Sequence, residues 1–273
     1  MTLHSPVWLM FRNELLLIKR SRLRLVLILF VPAIGALLPA LMVLSASSLT
    51  YLGVTGKDAL AAMVVGYVKM MAPVLQLDVP ELLRWAALRM SSSYFVLTPW
   101  VIVRVSGAFA IAAERERRTI EYLLATPIRC ATFLHGKLLS LVLPAILVTW
   151  ASALFGWLLA AAAVYLQHGL VWLPDLAWCL SVGLLPPLMA LHCAVLSVWI
   201  SLSARDPQSA AQLTSLVVIP VFMLALTLLS SQWLAQPQRV LMLAAGLLLC
   251  APLAVLLLAR RFTRQRLLGH ASA

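Results

Sequence analysis

Charge is scarce in this chain. Only 11% of its 273 residues are charged, while 63% are hydrophobic. A soluble domain carries about 25% charged and 45–50% apolar residues, so the composition excludes an ordinary soluble fold and points to an integral membrane protein. Acids are the rarest charge. There are nine: Glu14, Asp58, Asp78, Glu81, Glu114, Glu116, Glu121, Asp175 and Asp206. None lies deep in an apolar run, which argues against a carrier driven by protons or sodium, since such carriers place ionisable groups at the bilayer midplane. The four cysteines, Cys130, Cys179, Cys193 and Cys250, form no CxxC pair. Neither a disulfide framework nor a metal site is indicated, and the cysteines read as small buried hydrophobes. A Walker A loop is also missing. "GVTGKD" at 53–58 and "FLHGKL" at 133–138 lack its spacing and its Ser or Thr, so this chain does not bind ATP by that route. There is no fixed-period repeat and no low-complexity tract.

Apolar runs are what the chain has in abundance. A membrane-spanning helix needs about 20 mostly apolar residues. Six runs qualify, at 25–44, 94–113, 138–166, 176–202, 213–230 and 240–259. The fold class expected is therefore all-α and polytopic, one domain over 1–273 with six spans. The N-terminus reads as uncleaved, because the first long apolar run starts near residue 25 and no A-x-A site follows it. The net charge of +12 does not indicate nucleic acid, because the basic residues sit at the ends of apolar runs rather than on one soluble face. Fifteen of them fall on one side of the six-span layout and five on the other, with Arg104 inside a span. The positive-inside rule then places both termini and the 114–137 segment in the cytosol.

Residues 45–93 form the longest outer segment. "DVPELLRWAALRM" begins with Asp78, with Pro80 in the first turn and Glu81 three residues on, an N-cap pattern. Two short helices lying on or dipping into the outer leaflet are expected there, with a re-entrant hairpin over 57–77 as the alternative. Proline sits inside most spans, at Pro32, Pro39, Pro99, Pro144, Pro186, Pro187, Pro220 and Pro252. In membrane helices this is tolerated where neighbours satisfy the freed carbonyls. Two polar residues stand out within spans, Arg104 and His192. Neither has an acid nearby in sequence. Arg104 should face protein or water, either as a structural hydrogen-bonding group or as part of a pathway that touches an anionic substrate. A lone histidine is more often packed or hydrogen-bonded than catalytic, and no nucleophile, base or metal set accompanies it. The chain is not expected to be an enzyme.

The densest charge lies in the middle of the chain. "ERERRTIEYLLATP", 114–127, follows the second apolar run directly. Glu114, Arg115, Glu116, Arg117, Arg118 and Glu121 must meet water or a polar partner. Ile120, Leu123 and Leu124 fall at i, i+3 and i+4, a narrow apolar stripe, and Thr126-Pro127 ends the helix. A short helix that is charged at one end and apolar along one side suits docking into a groove of a soluble protein.

This stretch resembles the signature of the type-2 ABC transporter permeases, an exporter class. Glu114, Glu116, Arg117, Thr119, Ile120, Glu121, Leu123, Leu124, Thr126 and Pro127, followed by Gly136-Lys137, match that pattern. "WLMFRNELLLIKRSR" at 8–22 is similar to the family's connecting helix, and "SARDPQSAAQLTSLVVIP" at 203–220 to its second cytosolic turn. Arg118 stands where the family usually has Gly, and the tail "RRFTRQRLLGH" lacks an acid that the family often carries there. The resemblance implies a permease of the bacterial cytoplasmic membrane that forms the substrate path with a second permease chain, most simply as a homodimer. Two cytosolic ATPase subunits would dock beneath and hold the ATP and magnesium, and this chain would carry no cofactor. Residues 114–119, Glu121, Leu124, Thr126 and Pro127 would form the coupling segment. The alternatives are a non-transporting subunit that transmits force or scaffolds a complex, and a carrier or channel that needs no ATP. Substrate identity is not legible in the sequence.

Overall fold

The computed structural model describes residues 8, 11–12, 16, 22–51, 79–107, 110–116, 129–169, 171–204, 206–230, 234 and 236–263. All seven elements over these residues are helices: α1 (Arg22–Tyr51), α2 (Val79–Gly107), α3 (Ala112–Glu116), α4 (Cys130–His168), α5 (Leu176–Ser203), α6 (Pro207–Ser230) and α7 (Pro237–Arg261). Among the described residues four stretches are long and apolar enough to cross a membrane: Trp85–Gly107, Cys130–Leu166, Leu176–Ser203 and Pro237–Arg261. The protein is thus helical and membrane-embedded. The expected runs at 25–44 and 213–230 both lie within helices, α1 and α6. Of the expected outer segment at 45–93, residues 52–78, including Asp78 and the 57–77 hairpin, lie outside the described residues, as does nearly all of the connecting helix at 1–24.

Three boundaries differ from the sequence expectation. The "VPELLRWAALRM" helix is not a separate outer element, because it continues unbroken into α2. The helix expected from 138 begins at Cys130, since "CATFLHG" packs Phe133 and Leu134 into the core. The run 94–113 does not stay helical to its end. It stops at Gly107, turns through Ala110 and Ile111, and restarts as α3. None of the prolines within the described helices ends its helix.

α2 is the central element, packed against α1, α4, α5 and α6. Its Phe95, Val96, Leu97, Trp100, Ile102 and Val103 are all buried. Contacts along its length set the directions of its neighbours. Just before its midpoint, Ser91 Oγ accepts from Trp178 Nε1 at the start of α5 (3.1 Å). Near its end, Gly107 lies against Ser197 in the last third of α5, so α2 and α5 run the same way. α4 runs opposite to both, with Leu141 beside Gly107 at the end of α2 and Trp150 Nε1 donating to the Val182 carbonyl (3.1 Å). α7 begins beside Arg89 and ends with Phe262 against Phe133, parallel to α2. α1 places Val43 against Ala87 and Val164, antiparallel to α2.

Small residues bring these helices close. A Cβ at Gly156 would stand 2.8 Å from the Ala36 backbone, so α1 and α4 touch main chain to main chain. In lipid, where apolar burial gives no advantage over acyl chains, such close packing is a main source of helix association. α7 shows the other side of that rule. It buries Val240, Ala244, Ala251 and Leu258 toward α5 and leaves Leu248, Leu249, Leu253 and Leu256 exposed, a surface suited to acyl chains.

At the Asp175 end of the bundle, Arg89 binds three elements at once. Its guanidinium pairs with the Asp175 carboxylate, donates to the Leu234 carbonyl (3.1 Å) and lies 5.7 Å from the centre of the Trp85 ring. Asp175 also caps α5 by accepting from Trp178 N (3.2 Å).

Candidate functional site, a coupling face at the Glu114 end

The charged segment begins where α2 breaks. Helix ends leave backbone donors without partners, and deep in a membrane protein each must be satisfied. The Ser201 hydroxyl on α5 does this for α3. Its Oγ accepts from both Ile111 N (3.1 Å) and Ala112 N (3.0 Å), and the residue is fully buried. Gly107 allows the approach, because a Cβ there would lie 2.6 Å from Ser197 Cβ. The break thus follows from a tertiary contact, and "SGAFAIAA" reads as uninterrupted apolar sequence.

Glu114 lies one turn into α3. Its Oε1 is 2.5 Å from Lys137 Nζ on α4, with the lysine side chain 5% exposed and the glutamate 19%. A buried cation and a buried carboxylate must be paired to be tolerated. The pair joins the first acid of the charged segment to the Lys of the following Gly136-Lys137. A third element closes the face: Ala112, Ala204 and Ala210 form one buried cluster that links α3 to the α5–α6 turn. At that turn Asp206 caps α6. Its Oδ1 accepts from Ser209 N (2.7 Å) and its Oδ2 from Ser209 Oγ (2.7 Å). The Ser209 amide, then the Ser209 hydroxyl, hold the Asp206 carboxyl below its ordinary value. Arg261, at the end of α7, stacks 4.4 Å from the centre of the Trp199 ring. The α3 start, the α4 start, the α5–α6 turn and the α7 end therefore form one polar end of the bundle.

Of the expected coupling residues, Glu114 is the one whose side-chain partner is seen among the described residues. Glu116 is exposed at the end of α3, and Arg115 is helical. Arg117, Arg118, Thr119, Glu121, Leu124, Thr126 and Pro127 lie outside the described residues, as do Ile120 and Leu123. Arg104 and His192 are not brought together by a bond. His192 Nδ1 lies 2.8 Å from the Leu188 carbonyl of its own helix, and its Nε2 is buried without a hydrogen-bond partner among the described residues. Arg104 is half-buried in the last turn of α2. Two contributors were not among the expected site residues. Lys137 was visible only as part of Gly-Lys, and Ser201 carried no signal, since one serine in "VWISLSA" looks like any other.

Among the described residues no group of three or more His, Cys, Asp or Glu is placed to hold a metal ion, and the chemistry available at this end is ion pairing and backbone capping. Neither a curated protein nor a solved structure matches the chain. A family model described as ABC-2 family transporter protein matches residues 8–264, a span that takes in the broken α2, the Glu114–Lys137 pair and the α5–α6 turn. The chain belongs to the ABC-2 family of transporter proteins.

Proposed function

We propose that this chain is the membrane-spanning permease subunit of an ATP-driven exporter, with six spans and both termini in the cytosol. It pairs with a second permease chain and rests on two separate ATPase subunits. The observation that carries the reading is the anchoring of the charged segment. Glu114 is bound to α4 through Lys137, and α3 is capped by Ser201 on α5, so a push on residues 114–127 reaches two long helices through short, stiff contacts. A solvated turn without a mechanical role would not need a buried ion pair. In this scheme α1 and α6 complete the six spans, and nucleotide acts by binding one state of the dimer more tightly than the other.

The test is co-expression with an ABC ATPase encoded beside this chain, with vanadate-sensitive ATP hydrolysis measured on the purified complex. A stable complex that loses assembly or coupling in Glu121→Arg is the expected result. Failure to associate with any ATPase would overturn the proposal. Reporter fusions at both termini test the topology and should both read cytosolic.

A further inference from the structure

α7 buries one side and shows the other. Val240, Ala244, Ala251 and Leu258 face α5. On the opposite side Met242, Leu249, Leu253, Leu256 and Arg260 follow at spacings of seven, four, three and four residues, which is a single helix face. All five are exposed, and no buried residue interrupts the face. From Leu249 to Arg260 it runs roughly 17 Å, close to the half-thickness of a hydrocarbon core, about 15 Å. An arginine in the last turn of such a helix carries its charge to the headgroup layer. The stripe therefore has the length of one layer of acyl chains and a cation at its end.

Two more arginines stand at the same corner. Arg261 lies 4.4 Å from the centre of the Trp199 ring on α5, a side chain type that favours the membrane interface. Phe262 packs on Phe133 of α4 with ring centres 5.7 Å apart, and both rings are buried. This contact seats the end of α7 against the start of α4, where Arg129 is the N-cap residue. Phe133 N donates to the Arg129 carbonyl (3.1 Å), so Arg129 stands one turn before the paired rings. Arg129, Arg260 and Arg261 are all exposed. Arg129 also has the wrong sign for its place. The start of a helix carries partial positive charge, and the Arg129 side chain makes no capping bond there. An anion held by the arginines would offset that repulsion.

We propose that this corner holds the phosphate of an anionic phospholipid from the leaflet at the Glu114 end, with its acyl chains along Leu256, Leu253 and Leu249. Each part of the lipid meets matching chemistry. Guanidinium groups present paired N–H donors that fit phosphate oxygens, and Trp199 holds that of Arg261 in place. The leucines take the chains. An acidic surface on a soluble partner would satisfy the arginines but leave the leucine stripe unused. Because Arg129 belongs to α4 while Arg260 and Arg261 belong to α7, a headgroup held among them ties the two helices together. The inference needs neither the permease reading nor a choice of membrane side.

The experiment titrates the full chain in neutral detergent with phosphatidylglycerol and with phosphatidylcholine of identical acyl chains, and native mass spectrometry counts the lipid retained. An arginine near a membrane surface favours anionic lipid by about fivefold. Phosphatidylglycerol should therefore be held on the order of tenfold to a hundredfold more tightly than phosphatidylcholine. Changing Arg129, Arg260 and Arg261 together to Gln should abolish that preference, and changing all three to Lys should keep most of it. Arg260→Gln alone should weaken it by about fivefold. Arg239→Gln, which removes the same charge at the opposite end of α7, should leave it unchanged. A phosphatidylglycerol with a photoreactive group midway along one chain should label α7 between 249 and 256.

Equal retention of the two lipids by the wild-type chain overturns the proposal, and so does an undiminished preference in the triple Gln variant. Equal losses in Arg239→Gln and Arg260→Gln would make the preference a matter of overall charge and overturn the local site. Labelling spread evenly over the exposed helices would remove the acyl part of the assignment. If the triple Gln variant does not fold, the contrast between Arg260→Gln and Arg239→Gln decides. A triple variant that keeps its lipid preference but no longer associates with an ATPase would make this corner a protein-docking surface and overturn the lipid assignment.

Discussion

At the scale of residues, the Glu114 end of the bundle is held by a buried cap, an ion pair and a helix cap, and each has a measurable consequence. Removing the Ser201 hydroxyl leaves the Ile111 and Ala112 amides without their shared acceptor. An unsatisfied buried donor costs about 1–3 kcal/mol, so Ser201→Ala should lower thermal stability by that order, while Ser201→Thr should retain most of it. Lys137→Met leaves Glu114 without the lysine in a largely buried place, and breaking a buried pair costs roughly 3–5 kcal/mol. The exchange Glu114→Lys with Lys137→Glu should recover part of the loss, and a double-mutant cycle in stability reads the coupling. Asp206 gives a pH prediction. Its folded carboxyl titrates below the ordinary 3.8, chiefly because of the Ser209 amide. A carboxyl lowered on folding contributes stability above its unfolded value and loses it as pH falls through the folded one. The start of α6 should therefore loosen below about pH 4, read by hydrogen exchange of its first amides, and Asp206→Asn should remove that dependence.

At the scale of elements, helix existence was legible and helix ends were not. Apolar length alone found α5 and α7 within three residues of their observed ends, because lipid demands a run of that length whatever packs beside it. The second span was misjudged at both ends. Nothing in "DVPELLRWAALRM" tells a surface helix from the first turns of a long one, and the break after Gly107 depends on Ser197 and Ser201, about ninety residues away. Close packing belongs to this scale too. At Gly156 a Cβ would meet Ala36 backbone at 2.8 Å, and backbone cannot swing aside as a side chain can. Gly156→Leu should part α1 from α4 and cost more than the usual 1–3 kcal/mol of overpacking. Gly156→Ala should fall nearer that range, with melting temperature in detergent as the readout.

At the scale of the whole molecule, the two ends of the bundle differ in kind. Among the described residues, the Asp175 end is tied by the Arg89 guanidinium. Arg89 reaches α5 through Asp175 and the stretch before α7 through the Leu234 carbonyl. Because Asp175 is 41% exposed, solvent screens the pair and its worth is modest. Arg89→Gln should therefore cost only about 1 kcal/mol of stability. Its larger effect should be faster hydrogen exchange confined to the starts of α5 and α7. The Glu114 end is tied by a buried pair and a buried cap.

By itself the sequence determined the solvent. Its apolar runs, scarce acids and segregated basic residues admit a helical membrane protein and no soluble alternative, because each unpaired backbone group and each stray charge is costly in hydrocarbon. It also located the charged segment at 114–127 and singled out Arg104. Tertiary structure decided what those residues meet. Glu114 finds Lys137, and the amides at the start of α3 find Ser201. Composition and periodicity report how a residue relates to its solvent and its own helix. Partners across the bundle are chosen by packing between segments far apart in the chain, which no local pattern encodes.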